Sequence, residues 1–222
     1  CADCIEAAGV DRLITMDLHA PQVQGFFKKP VDHLYAKELL CEYIRRQGIV
    51  NEDLVVVSPD AGSAKRAREY ATELNCPVAI GDKMRYGHDE KAKVLEIIGE
   101  VKDKACLVID DFSISGGTLV DVSYALMDKG AKKVYAALSH NVLAEEGIKK
   151  IDASPIEFLV STDTLECPAA SLSNKIRFIS AAPMFAQAVK IIHDRAPMST
   201  MFEQRVSKRL LDMSFAEQQT LI

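Results

Sequence analysis

An α/β fold built on a doubly wound, mainly parallel sheet is what this sequence predicts, and three observations predict it. Apolar runs of strand length recur along the whole chain. Helix-period stretches separate them. The runs are apolar at consecutive rather than alternating positions, as in strands covered on both faces. Strands alternating with helices of this length are the signature of a doubly wound sheet.

In order, residues 2–9 read as the tail of a helix. A chain that opens inside an element carries the expectation that a preceding segment is missing. The first strand is Leu13–Met16, and a helix spans 34–47. The next strand is 54–57, with a helix over 63–74. Strands follow at 78–80 and 106–109, and a helix at 119–129. A strand at 134–138, a short helix at 145–151 and strands at 156–160 and 176–179 come next, before a helix at 184–193. Gly48, Asn75 and Gly130 fall where helix C-termini need a residue tolerant of positive φ. Residues 198–222 are more polar and read as a helical extension. The expected division is one domain over 1–202 and an extension over 203–222.

With 222 residues, 48% of them hydrophobic, the chain has ample core for one large or two small domains. A net charge of -5 argues against a nucleic-acid partner, which would meet a basic face. No run approaches the roughly 18 apolar residues of a membrane span, so a cytoplasmic protein with reduced thiols is expected. Cys1 and Cys4 form a CxxC, but no second pair follows at zinc spacing, and they read as helix residues. Cys41, Cys76, Cys106 and Cys167 sit in apolar runs as small core side chains.

Ligands of such sheets bind at the carboxyl ends of the strands. Three strand ends carry unusual polar residues: Asp17-Leu18-His19, Ser58-Pro59-Asp60 and Asp110-Asp111. The third is the strongest. An apolar strand runs into two adjacent carboxylates, and a short loop brings Ser115, Gly116, Gly117 and Thr118 to the start of a helix. Glycines admit a ligand close to the backbone, and free N–H groups at a helix start bind an anion. No Gly-Lys-Ser/Thr follows, so this is not the Walker loop. A phosphate on the amides with a diol on the carboxylates describes a sugar phosphate, ribose 5-phosphate above all.

The stretch from Leu107 to Leu119 resembles the PRPP-binding loop of phosphoribosyltransferases and PRPP synthetases (ribose-phosphate diphosphokinases). The segment from Asp11 to Phe27, Asp-Arg-Leu-Ile-Thr-Met-Asp-Leu-His-Ala-Pro-Gln-Val-Gln-Gly-Phe-Phe, resembles a signature of the synthetases alone. Val57 to Arg66 and Ala79 to Arg85 resemble two further synthetase segments, and the likeness covers about residues 2–202. It implies a phosphoribosyltransferase-like sheet with most of an N-terminal sister domain missing. By the same resemblance, Asp110 and Asp111 hold the ribose hydroxyls, and Ser115, Gly116, Gly117 and Thr118 cradle the 5-phosphate. His19 and Asp60 are the magnesium ligands, and Lys83 and Arg85 are the cations of a closing catalytic loop. The implied reaction moves a diphosphoryl group from ATP to O1 of ribose 5-phosphate, in a homo-oligomer, giving PRPP and AMP. Ile114 stands where the family commonly has Asp or Ser. Two other classes stay open: a synthetase-associated regulatory subunit, and a phosphoribosyltransferase that consumes PRPP.

Overall fold

The computed structural model of the chain describes residues 1–50, 53–85, 93–203 and 208–216. In chain order the elements begin with α1 (Ala2–Ala7), β1 (Leu13–Met16), β2 (Val31–Leu34), α2 (Lys37–Arg46), β3 (Leu54–Ser58) and α3 (Ala64–Leu74). They continue with β4 (Val78–Arg85), β5 (Lys93–Ile98), β6 (Ala105–Ser113), α4 (Gly117–Asp128), β7 (Lys133–Asn141) and α5 (Glu145–Ala153). The last are β8 (Ile156–Thr162), β9 (Ile176–Ile179), α6 (Ala182–His193), α7 (Ser199–Glu203) and α8 (Lys208–Ala216). Short 3-10 helices at Pro21–Phe26 and Pro168–Leu172 each open on a proline, whose fixed φ suits a first helical position.

The chain divides into two compact units, Leu40–Ile179 and Cys1–Leu39 with Ser180–Ile222. The larger unit holds a seven-stranded sheet in the order β5-β4-β3-β6-β7-β8-β9, parallel throughout except for β5 against β4. The expected mainly parallel α/β sheet is therefore the architecture found. All five residues of β3, Leu-Val-Val-Val-Ser, are buried, as the consecutive apolar run requires. Helix α3 buries Ala67, Tyr70, Ala71 and Leu74, the i, i+3, i+4, i+7 stripe of an amphipathic helix. It ends at Asn75 with φ +54, and Gly48 and Gly130 also take positive φ. Val57, Val108, Leu119, Leu126 and Val134 belong to one buried cluster in this unit. Each such side chain contributes about 1.5–3 kcal/mol on burial.

The smaller unit pairs β1 with β2 in parallel, from Leu13 opposite Val31 to Met16 opposite Leu34. Arg12 clamps Asp32 with two guanidinium nitrogens. Ser180 donates its amide to the Ser214 carbonyl at 3.1 Å.

Two strands escaped the sequence reading. β2 (Val-Asp-His-Leu) has no apolar run, and β5 is an edge strand whose Ile98 is exposed. Pairing makes β2 a strand, whereas β5 (Lys-Val-Leu-Glu-Ile-Ile) also carries a strand-like apolar pattern of its own. Two other strands run further than their apolar cores. β4 continues through Gly81-Asp82-Lys83-Met84-Arg85, and β6 passes straight through Asp110 and Asp111. Among the described residues no helix is long and apolar enough to cross a membrane. All six cysteines are free thiols; Cys41 and Cys106 are buried and Cys1 and Cys4 exposed. Burial pushes the Cys106 thiol up to about 12, which makes it an inert core side chain.

Candidate functional site

The larger sheet changes direction between β3 and β6. From β3 the chain winds through α3 to β4 on one side, and from β6 through α4 to β7, β8 and β9 on the other. Carboxyl ends at such a switch point open a crevice that a ligand can enter. Asp60 follows β3, Asp110 and Asp111 lie in the last part of β6, and the Ser115–Thr118 turn follows it. One unit thus brings four of the predicted features to adjacent strand ends.

The recorded β3–β6 register stops at Val57 opposite Val108, whereas β6 and β7 stay paired to Ser113 opposite Asn141. Among the described residues, the segment carrying the carboxylates is therefore strand-paired with β7 and not with β3. Each carboxylate accepts the next amide: Asp111 N–H donates to Asp110 Oδ1 and Phe112 N–H to Asp111 Oδ1, both at 2.9 Å. Arg66 of α3 reaches across to both, at 3.5 Å from Asp110 Oδ1 and 3.3 Å from Asp111 Oδ2. Asp111 is only 4% exposed. Burial, more than any other cause, raises the Asp110 carboxyl to about 7; the hydrogen bond and negative charge of Asp111 add to the rise, while Arg66 and the Asp111 amide oppose it.

The turn after β6 is held by its own hydroxyls. Gly116 N–H donates to Ser113 Oγ at 3.2 Å and Gly117 N–H to Ser115 Oγ at 3.4 Å. Two of the expected free amides, those of Gly116 and Gly117, are thus occupied by serine oxygens, at distances long enough for a stronger acceptor to replace them. Gly116 caps α4 with φ +69, a conformation costly for a residue bearing a Cβ. Helix α5 supports the turn from beneath: Ala144 N–H donates to Ile114 O at 3.2 Å. A Cβ on Gly147 would lie 3.1 Å from the Ser115 carbonyl carbon, 3.2 Å from Ile114 O and 3.0 Å from a Leu143 methyl. Two of those atoms are backbone and cannot swing aside. Gly147→Ala is therefore expected to destabilise the protein by about 1–3 kcal/mol. Gly25→Ala, where a Cβ meets nothing within 4 Å, should stay within about 0.5 kcal/mol. Denaturant melts of the two variants check this, and equal effects would contradict it.

Beside the turn, the ends of β7 and β8 carry further polar groups. His140 Nδ1 meets Thr164 Oγ1 at 2.6 Å, Thr164 Oγ1 meets Thr162 Oγ1 at 2.9 Å, and the Thr162 hydroxyl bonds Ser139 O. These bonds fix the two strand ends against each other.

Lys83 and Arg85 were expected on a loop after a strand ending at residue 80. Instead they belong to β4, registered opposite Leu95 and Lys93 of the antiparallel β5. Since Ser58 pairs with Ile80, the two cations lie beyond the carboxyl edge of β3, on an outward-running hairpin. At about 3.3 Å per residue they stand some 10–16 Å past that edge. The rest of the expected closing loop, 86–90, lies outside the described residues.

Of the two predicted magnesium ligands, Asp60 accepts the Ser63 amide at 2.9 Å through Oδ1. His19 is exposed in the smaller unit, just past β1. Its loop is well anchored: Asp17 takes φ +40, its carboxylate accepts Ala36 N–H at 2.9 Å, and Leu18 N–H donates to His33 Nε2 at 3.0 Å. Burial pushes the His33 pKa down, against the pull of Asp17, and favours the neutral ring that can accept this bond. Among the described residues no group of three or more His, Cys, Asp and Glu side chains could hold a metal by itself. A hard carboxylate donor with few protein partners still fits magnesium, which keeps water and phosphate oxygens in its shell.

Sequence reasoning missed Arg66 and Gly147. Arg66 closes the Asp60 segment and sits in the first turns of α3, which was its available signal; nothing local marked Gly147.

Comparison with known proteins follows the same lines. The phosphoribosyl synthetase-associated domain model matches residues 83–203. The ribose-phosphate pyrophosphokinase of Clostridium perfringens is 45% identical over 203 residues, which are 91% of this chain and 63% of that protein. Ribose-phosphate pyrophosphokinase 1 of Streptococcus agalactiae is 44% identical over 208 residues, 93% of this chain and 65% of its own length. The crystal structure of phosphoribosylpyrophosphate synthetase from Mycobacterium smegmatis superposes with a TM-score of 0.80 at 33% identity, covering 88% of this chain and 63% of that one. The chain thus spans a little under two thirds of the relatives it matches.

Proposed function

The chain belongs to the phosphoribosylpyrophosphate synthetase (ribose-phosphate pyrophosphokinase) family, and from that premise we propose that its site binds ribose 5-phosphate and serves transfer of a diphosphoryl group from ATP to the sugar O1. The observation that carries this reading is the Asp110–Asp111 pair, in reach of Arg66 and followed at once by the Gly116-capped turn of α4. Carboxylates are strong acceptors for vicinal hydroxyls, and a helix N-terminus with glycine-rich backbone suits a terminal phosphate.

In the proposed reaction O1 attacks the β-phosphorus of ATP, a new O–P bond forms, and the bond to the α–β bridging oxygen breaks. AMP leaves with that electron pair, and the product is PRPP. Asp110 and Asp111 orient the ring, and the amides and hydroxyls of Ser115, Gly116, Gly117 and Thr118 hold the 5-phosphate. Lys83 and Arg85 offset negative charge on the group in flight. Most of the rate gain is then positioning and electrostatics. Asp60 would offer a carboxylate and His19, by the family resemblance, an imidazole as magnesium ligands, and the metal would supply further neutralisation of phosphate charge when bound. No side chain is assigned to the O1 proton.

A second reading, a synthetase-associated subunit with weak activity, is favoured by one feature: Ile114 puts an apolar side chain, 61% exposed, into the phosphate turn. One experiment separates the two. AMP release from ATP is measured with and without ribose 5-phosphate, on the complete gene product. Sugar-dependent AMP with PRPP formed one to one is the expected result. Sugar binding without AMP release would favour the associated subunit, and absence of both would overturn the site.

A further inference from the structure

We propose that Arg66 is a positioning residue of the sugar site, holding Asp110 and Asp111 in the orientation that accepts two ribose hydroxyls and so setting preference for ribose over 2-deoxyribose. The inference rests on the ribose 5-phosphate reading above and adds to it a residue, a division of labour and a selectivity.

Arg66 is carried by α3, whose stripe of Ala67, Tyr70, Ala71 and Leu74 is buried. The helix cannot roll without exposing that stripe, so the guanidinium has a fixed base. Its two terminal nitrogens address different carboxylates, Nη1 to Asp110 and Nη2 to Asp111. The planar fork suits two acceptors at once; a lysine is a single point charge. At 3.5 and 3.3 Å the contacts are looser than the roughly 2.7–2.9 Å of a tight charge-assisted pair. Arg66 therefore restrains the carboxylates and offsets their mutual repulsion without saturating them. Arg66 and the Asp111 amide both meet Asp110 at Oδ1.

The test is calorimetry of ribose 5-phosphate and of 2-deoxyribose 5-phosphate with the complete gene product. Arg66→Met is expected to weaken ribose 5-phosphate by about tenfold or more while 2-deoxyribose 5-phosphate changes less than about threefold. Arg66→Lys should restore part of the loss. In an Asp110→Asn/Asp111→Asn background, Arg66→Met should add nothing, because it acts through those carboxylates. Should Arg66→Met melt far below wild type, Arg66→Gln carries the same comparison. An unchanged preference for ribose in folded variants overturns the proposal, as does equal loss for both sugars. A wild type that binds ribose 5-phosphate no better than the deoxy sugar instead overturns the site reading, and the inference falls with it.

Discussion

Lys83→Ala and Arg85→Ala are each expected to lower turnover by about 10²–10³-fold in the complete gene product, with KM for either substrate moving far less. A cation that meets the transferring group mainly in the transition state contributes to kcat, and losing one such donor typically costs that much. The two residues sit two apart on β4, beyond the carboxyl edge of its neighbour β3. The backbone of residues 83–85 is paired with β5, which fixes where this stretch of β4 runs. Initial-rate kinetics on both substrates check the prediction. A large rise in KM at normal kcat would make the pair ordinary binding residues.

The second large effect concerns Asp110, and it has two opposite signs. Replacing Asp110 and Asp111 with Asn should weaken ribose 5-phosphate by about tenfold or more, since each charge-assisted acceptor contributes roughly 1.5–3 kcal/mol. Burial holds the folded Asp110 carboxyl near 7 against an ordinary value of 3.8. Between those values the folded chain keeps a proton that the unfolded chain has lost. Its stability contribution is therefore fully present below about 3.8 and is lost as pH rises through about 7. Asp110→Asn should raise the melting temperature more at pH 8 than at pH 4. Sugar binding runs the other way: wild-type affinity should climb from pH 6 to pH 8 as the carboxylate ionises, and the Asn variant should be flat. The same charge that costs stability supplies the binding, which is common at functional sites. A calorimetric pH series and paired melts measure both, and parallel pH profiles for wild type and Asp110→Asn would contradict the assignment.

Much of this architecture was legible in the chain because it is written in short-range chemistry. Consecutive apolar runs such as Leu54-Val55-Val56-Val57 can only be strands covered on both faces or pieces of buried helix, and length and flanking turns decide between them. The Ser115-Gly116-Gly117-Thr118 turn is equally local: a left-handed position before a helix needs glycine, and Gly116 takes it. So most of the strand-and-helix order, the mainly parallel sheet and the carboxylates leading into that turn came from the sequence by itself.

Other features depend on residues far apart in the chain, and only the tertiary structure decided them. β6 continues through two aspartates because β7 offers hydrogen-bond partners as far as Asn141, a reward no local pattern announces. β2, with Asp32 and His33 in its middle, is a strand by its pairing with β1. Residues 1–39 join 180–222 rather than their chain neighbours, because compactness follows contacts and not sequence order. Arg66 meets Asp110 and Asp111 across 44 and 45 positions, and Gly147 supports Ser115 from another helix. Periodicity tells which face of α3 is buried, but which carboxylates its arginine reaches is set by how that helix packs on the sheet.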